Sequence, residues 1–216
     1  DLDKAIEGAM VAKFRNSGQT CVCTNRFFVQ DGIYDRFVEK FVEASNKLKV
    51  GNGLESGTQQ GPLIDAKAVE KVEEFISDAT SKGGKVVAGG KRHELGGSFF
   101  QPTVISEAKP DMMFMKEEIF GPVAPIFRFK TEEEGIRLAN DTEFGLASYA
   151  YTGSLTRAFR VMEGLKYGMV GINEGLITTV EAPFGGVKES GLGKEGGHQG
   201  IEDYLDTKYV CIGGLS

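Results

Sequence analysis

The chain has 216 residues, 40% of them hydrophobic and 26% charged, with 30 glycines, three cysteines and a formal net charge of −6. Its lysines and arginines are scattered, which argues against a nucleic-acid partner because phosphate binding needs a concentrated basic face. No window is long and apolar enough for a membrane span, and three cysteines without an apolar leader speak against a secreted disulfide framework. A chain of this length buries roughly 70% of its unfolded surface, enough for one sizeable domain or two small ones, and the composition is that of an α/β protein with many tight turns. Cytoplasm is the expected compartment. The mitochondrial matrix stays open, since the chain starts at Asp1 in mid-pattern and its natural N-terminus is expected further upstream.

Leu2, Ile6, Ala9, Met10 and Phe14 fall at helical spacing and predict a helix over residues 3–15. That helix delivers the string FRNSGQTCVCTNR at residues 14–26. Gly18 frees the chain to turn sharply, and Gln19, Thr20, Thr24 and Asn25 surround Cys21 with small polar groups. A structural cysteine sits in an apolar run, whereas a nucleophilic one needs an opening and a polar setting that favours thiolate. Composition alone leaves an ordinary loop cysteine as the other reading.

Residues 26–30 read as a strand, and Ile33, Phe37, Val38, Phe41, Val42 and Leu48 form the apolar stripe of a long helix. Residues 51–64 carry four glycines and a proline without periodicity and predict a loop. Asp65 caps the next helix, with Val69, Val72, Ile76 and Ala79 inward and Gly83-Gly84 at its end. A strand follows at 85–88. Another spans 98–106, where Pro102 suggests an edge position.

Residues 122–129 are apolar and β-branched enough for a buried strand, and Thr131 with Glu134 forms a capping box for a helix reaching 139. A strand at 146–151, a helix face of Leu155, Phe159, Met162 and Leu165, and a strand at 168–173 complete the alternation. The pattern predicts a parallel sheet with helices on both faces and ligands beyond its strand ends, where Asn173 and the residues after it lie. Residues 191–196, GLGKEG, spell the letters of a dinucleotide fingerprint, but no β-run precedes them, so no nucleotide site is assigned there. His93, His198 and Cys211 are isolated and assemble no metal-ligand spacing. Residues 206–215 read as a terminal strand and tail.

Three strings in order carry a resemblance: the cysteine string around Cys21, KEEIFGP at residues 116–122 and PFGGVKESGLG at residues 183–193. Together they resemble the aldehyde dehydrogenase superfamily over essentially the whole chain. Within it the likeness is to succinate-semialdehyde dehydrogenases. The residues behind that narrower likeness are Cys21-Val22-Cys23, Arg15, the run NEGLITTVEAPFGGVKESGLGKEG and the ending GIEDYLDTKYVCIGGL.

The resemblance implies an α/β catalytic domain over residues 1–205 and a C-terminal oligomerisation strand at 206–216 that pairs with a neighbouring subunit, hence a homo-oligomer, dimer or tetramer. It also implies an N-terminal coenzyme-binding domain, expected upstream of Asp1 and not in this chain. The implied reaction is oxidation of succinic semialdehyde, or of another short ω-carboxy aldehyde such as glutarate semialdehyde, with NAD or NADP. Cys21 would add to the carbonyl, the thiohemiacetal would lose hydride to the nicotinamide, and the resulting thioester would be hydrolysed. The Cys21 backbone N–H would help hold the oxyanion.

By the same resemblance Glu118 would bind the cofactor ribose and Phe120 would lie against the nicotinamide. Arg15 would grip the substrate carboxylate, and Thr178 would supply a hydroxyl where similar enzymes carry serine. Cys23 would form a reversible disulfide with Cys21. The hydrolytic glutamate and the oxyanion-site asparagine would lie upstream of Asp1, so the isolated chain is expected to be inactive. A non-enzymatic protein using Cys21 and Cys23 as a redox or metal-binding element is the rival, and it leaves KEEIFGP without a purpose.

Overall fold

The computed structural model describes residues 1–214. Helix α1 (Leu2–Phe14) starts where the Asp1 carboxylate accepts from the Lys4 N–H at 3.1 Å. It is followed by β1 (Phe27–Gln30), α2 (Tyr34–Asn46), α3 (Ala66–Ser81), β2 (Lys85–Ala88), β3 (Thr103–Ala108) and β4 (Val123–Phe129). Next come α4 (Glu132–Asn140), β5 (Phe144–Gly145), β6 (Ala147–Ala150), α5 (Leu155–Gly164), β7 (Met169–Ile172) and β8 (Val187–Lys188). Asp65 caps α3 as expected, its carboxylate accepting from the Ala68 N–H at 2.9 Å.

The main sheet has the order β1-β4-β3-β2, with β1, β4 and β3 parallel and β2 antiparallel at one edge. Because strand side chains alternate, β3 and β4 divide the core in two. Val104, Ala124 and Ile126 face α1 and α2, where the rings of Phe14, Phe27 and Phe37 surround Phe41 at centroid distances of 5.8, 5.3 and 5.5 Å. Ile105, Val123 and Phe127 face the opposite way, against Val69, Val72, Phe75 and Ile76 of α3. Helices therefore cover both faces of this sheet. Burial contributes about 1.5–3 kcal/mol for each such side chain.

Three local expectations change. Pro102 lies just before β3, and the first ladder bond runs from the Thr103 N–H to the Pro122 carbonyl at 2.8 Å. The missing proline N–H thus removes no pairing, and β3 lies between β2 and β4 rather than at an edge. The capping box is shifted by one residue. Thr131 accepts from the Glu134 N–H at 3.3 Å, but the Glu134 carboxylate reaches the N–H of Lys130, at 2.8 Å, instead of that of Thr131. Residues 206–214 form no strand in this single chain, and Tyr209 and Ile212 are exposed; Leu215 and Ser216 lie outside the described residues.

The parallel sheet is also not continuous. Strands β6 and β7 pair parallel to each other but stand apart from the main sheet, while β5 and β8 form a short antiparallel pair. A cavity of about 530 Å³ is lined by all four residues of β1 and all four of β6. Alternating strand and helix patterns identify element types; they do not state which edges meet. The apolar face of α5 is likewise not core, since Leu155 and Phe159 are 76% and 52% exposed. No helix of the described residues is long and apolar enough to cross a membrane.

Candidate active site

Arg15 ends α1 with extended backbone (φ −53°, ψ 132°), and Asn16, Ser17 and Gly18 then take positive φ angles of 51°, 59° and 74°. This left-handed run reverses the chain. Gly18 is required on two counts: its φ suits glycine, and a Cβ there would overlap the backbone carbonyl of Gly121. The reversal is tied down by the Ser17 hydroxyl, which donates to the Gly61 carbonyl at 2.9 Å. The Gln19 side-chain oxygen accepts from the Ile64 N–H at 2.9 Å.

Cys21 follows in a turn closed by the Cys23 N–H donating to the Thr20 carbonyl at 2.8 Å. Its side chain is exposed, and among the described residues its N–H donates to no protein acceptor. An exposed thiol beside an unspent backbone donor is what acyl-transfer chemistry uses: a nucleophile and an oxyanion partner on the same residue. Cys23 is half-buried and its thiol lies 3.6 Å from the Arg15 carbonyl. Both cysteines are free thiols.

The second motif is held against the first by Asn25. Its amide nitrogen donates to the carbonyls of Phe114 and Glu117, each at 3.0 Å, and its oxygen accepts from the Ile119 N–H at 2.8 Å. Ile119 is buried against the α3 side of the core, which turns its neighbours Glu118 and Phe120 outward. Glu118 lines the 530 Å³ cavity together with Cys21 and Cys23. Phe120 is 40% exposed and has a φ of 52°, a left-handed conformation that is strained for a bulky residue.

Not every expected site residue joins this group. Arg15 is half-buried beside the loop, and among the described residues its guanidinium forms no ion pair and donates no hydrogen bond. Thr178 is exposed in the irregular stretch after β7 and lines neither of the two cavities that contain Cys21. Among the described residues no group of three or more His, Cys, Asp or Glu side chains is placed to hold a metal.

Two residues escaped sequence reasoning. Tyr149 on β6 donates from its hydroxyl to the Val22 carbonyl at 2.8 Å, and burial first, then the neighbouring Cys23, pushes its pKa up to about 12. Lys13 is 1% exposed, and burial pulls its pKa down to about 8, with Cys23 and Glu118 opposing the shift. Helical spacing could have flagged Lys13, since it falls four residues after Ala9 and seven after Ile6, both buried, whereas no local pattern marks Tyr149.

Lys13 gives a pH prediction. Its folded pKa lies below the unfolded 10.5, so between about 8 and 10.5 the unfolded chain binds the proton more tightly and stability rises with pH. Below pH 8 the cost is complete, about 3 kcal/mol at roughly 1.4 kcal/mol per pKa unit. Lys13→Met is expected to stabilise the protein by about 2–3 kcal/mol at pH 7 and by much less at pH 10.5. Urea denaturation at both pH values measures this; an equal effect at both would show that the ammonium carries no such cost.

An α/β domain with an exposed thiol on a tight turn, held against a segment that turns a glutamate and a phenylalanine outward, has the arrangement of a domain for covalent thiol chemistry. The chain belongs to the aldehyde dehydrogenase family, whose profile matches residues 1–210. It is 62% identical to the glutarate-semialdehyde dehydrogenase of Pseudomonas aeruginosa, over 100% of this chain and 44% of that protein. Identity is also 62% to the NADP(+) succinate-semialdehyde dehydrogenase of Escherichia coli, over 99% of this chain and 44% of the relative. The crystal structure of succinate-semialdehyde dehydrogenase from Burkholderia pseudomallei superposes with a TM-score of 0.97 at 61% identity, covering 98% of this chain and 44% of that one. The chain thus spans under half the length of these relatives.

Proposed function

We propose that the complete protein oxidises succinic semialdehyde to succinate with NAD or NADP, and that residues 1–205 are its catalytic domain. The observation that carries this is the uncommitted Arg15 guanidinium, six positions before an exposed Cys21. A guanidinium without a protein carboxylate can take a substrate carboxylate in bidentate fashion while the thiol meets the aldehyde at the other end. Glutarate semialdehyde is the second reading, supported by the 62% identity to the Pseudomonas aeruginosa enzyme of that name.

The Cys21 thiolate adds to the aldehyde carbon, and its own N–H steadies the oxyanion that forms. The exposed Glu118 and Phe120 flank a buried anchor and fit a ribose hydroxyl and a nicotinamide face; the bound cofactor supplies the hydride acceptor. Thr178 would meet the substrate carboxylate from the segment after β7. Residues 206–216 would pair with a neighbouring subunit in a dimer or tetramer, in the cytoplasm or mitochondrial matrix. In this proposal the hydrolytic base and the main cofactor surface come from the remainder of the protein, so the isolated chain should show no turnover.

The test is steady-state kinetics on the complete protein with succinic semialdehyde, glutarate semialdehyde and butanal. Arg15→Leu should raise KM for the two carboxylate substrates by about tenfold to a hundredfold, as for a lost charged hydrogen bond, and leave butanal nearly unchanged. Equal effects on all three substrates would remove Arg15 from the substrate site.

A further inference from the structure

The backbone around the nucleophile is held by one side chain from a distant element. Tyr149 lies 127 positions along the chain from Val22, and its hydroxyl meets the Val22 carbonyl at 2.8 Å. The same peptide unit is gripped at its other end, where the Cys23 N–H donates to the Thr20 carbonyl at 2.8 Å. With both ends fixed, the plane of the Val22–Cys23 peptide is set, and with it the direction in which Cys21 presents its sulfur and its free N–H. Tyr149 also lines the same cavity as Cys21, Cys23 and Glu118.

We infer that Tyr149 is a positioning residue for Cys21: its hydroxyl locks the turn so that the sulfur and the Cys21 N–H meet one carbonyl carbon and its oxygen together. The inference rests on Cys21 being the nucleophile of the proposed aldehyde oxidation. Several features of the site support it. The hydroxyl has one assigned bond, to a carbonyl, so it acts as a donor, and a pKa near 12 keeps it a donor throughout the working pH range. The flanks of the turn are anchored by Ser17, Gln19 and Asn25, and by the Thr24 N–H donating to the Ala12 carbonyl at 2.9 Å, whereas the Val22 carbonyl at its centre is held by the Tyr149 hydroxyl.

A hydrogen bond that orients a reacting group acts mainly in the transition state, so its loss should appear in kcat rather than KM. The experiment compares complete wild-type protein with Tyr149→Phe, which keeps the ring and its packing and removes only the hydroxyl. Expected are a five- to tenfold fall in kcat for succinic semialdehyde, a KM within twofold, an unchanged midpoint of thermal unfolding, and an altered rate of Cys21 alkylation by iodoacetamide relative to Cys211. Tyr149→Leu should lower kcat at least as far. An unchanged kcat and alkylation rate in Tyr149→Phe, or a loss of kcat in both variants that only follows a fall in unfolding midpoint, overturns the inference. Alkylation needs neither aldehyde nor cofactor, so it still reads the role of Tyr149 if wild-type protein proves not to oxidise semialdehydes, an outcome that would count against the proposed function instead.

Discussion

Replacing Cys21 with serine in the complete protein lowers kcat/KM for succinic semialdehyde by about three orders of magnitude or more, while Cys23→Ala stays within a few-fold of wild type. A serine hydroxyl in this exposed turn is a far weaker nucleophile than a thiol. Cys23 has a different expected part. The turn that joins the Thr20 carbonyl to the Cys23 N–H is bent rather than extended, which favours the roughly 4.4–6.8 Å Cα separation a disulfide needs. Peroxide would convert the Cys21 thiolate to a sulfenic acid; attack by the Cys23 thiolate would then close the S–S bond and release water. Wild-type protein should therefore regain activity with a dithiol and yield a Cys21–Cys23 linked peptide by mass spectrometry, and Cys23→Ala should not recover. Equal, irreversible loss in both proteins rules the switch out, and substantial turnover by Cys21→Ser would require another nucleophile.

Gly18→Ala should be strongly damaging to both stability and turnover. The added Cβ meets the Gly121 backbone carbonyl, not the end of a flexible side chain, and it falls on a residue with φ of 74°. Neither conflict can be relieved by a rotamer change, so the 15–18 reversal must open or the 120–122 segment must retreat. We expect a loss of about 2–4 kcal/mol in stability by chemical denaturation, together with a fall in turnover larger than the unfolded fraction explains. Gly53→Ala in the loop after α2 is the control, because a Cβ there meets nothing within 4 Å. If the two variants behave alike, the close approach of the loops is not what fixes the glycine.

Much of this architecture is visible in local patterns. The apolar spacing of α1, α2 and α3, the Asp65 cap and the polar setting of Cys21 are properties of a few adjacent residues, and short-range rules reach them. Pro102 misleads because its effect depends on whether its N–H was needed, and pairing begins one residue later, at Thr103. Leu155 and Phe159 mislead because periodicity identifies an apolar face without saying what covers it. Tyr149 acts through one hydrogen bond and Asn25 through three, to residues about ninety or more positions away, and nothing within a window of sequence encodes such partners. Lys13 lies between these cases: its position on an inward face is legible, but its burial is known only once α1 has been packed.

Asn25 has a consequence for anyone who wishes to transplant this chemistry. Its three hydrogen bonds into residues 114–119, and the seating of Gly18 under Gly121, weld the thiol turn and the KEEIFGP segment into one mechanical part. A chimera that exchanges either piece alone mates two surfaces not cut for each other. Grafts should therefore carry residues 14–26 and 112–122 as a matched cassette, and substitutions meant to retune the thiol should be screened for movement of Glu118 and Phe120 as well.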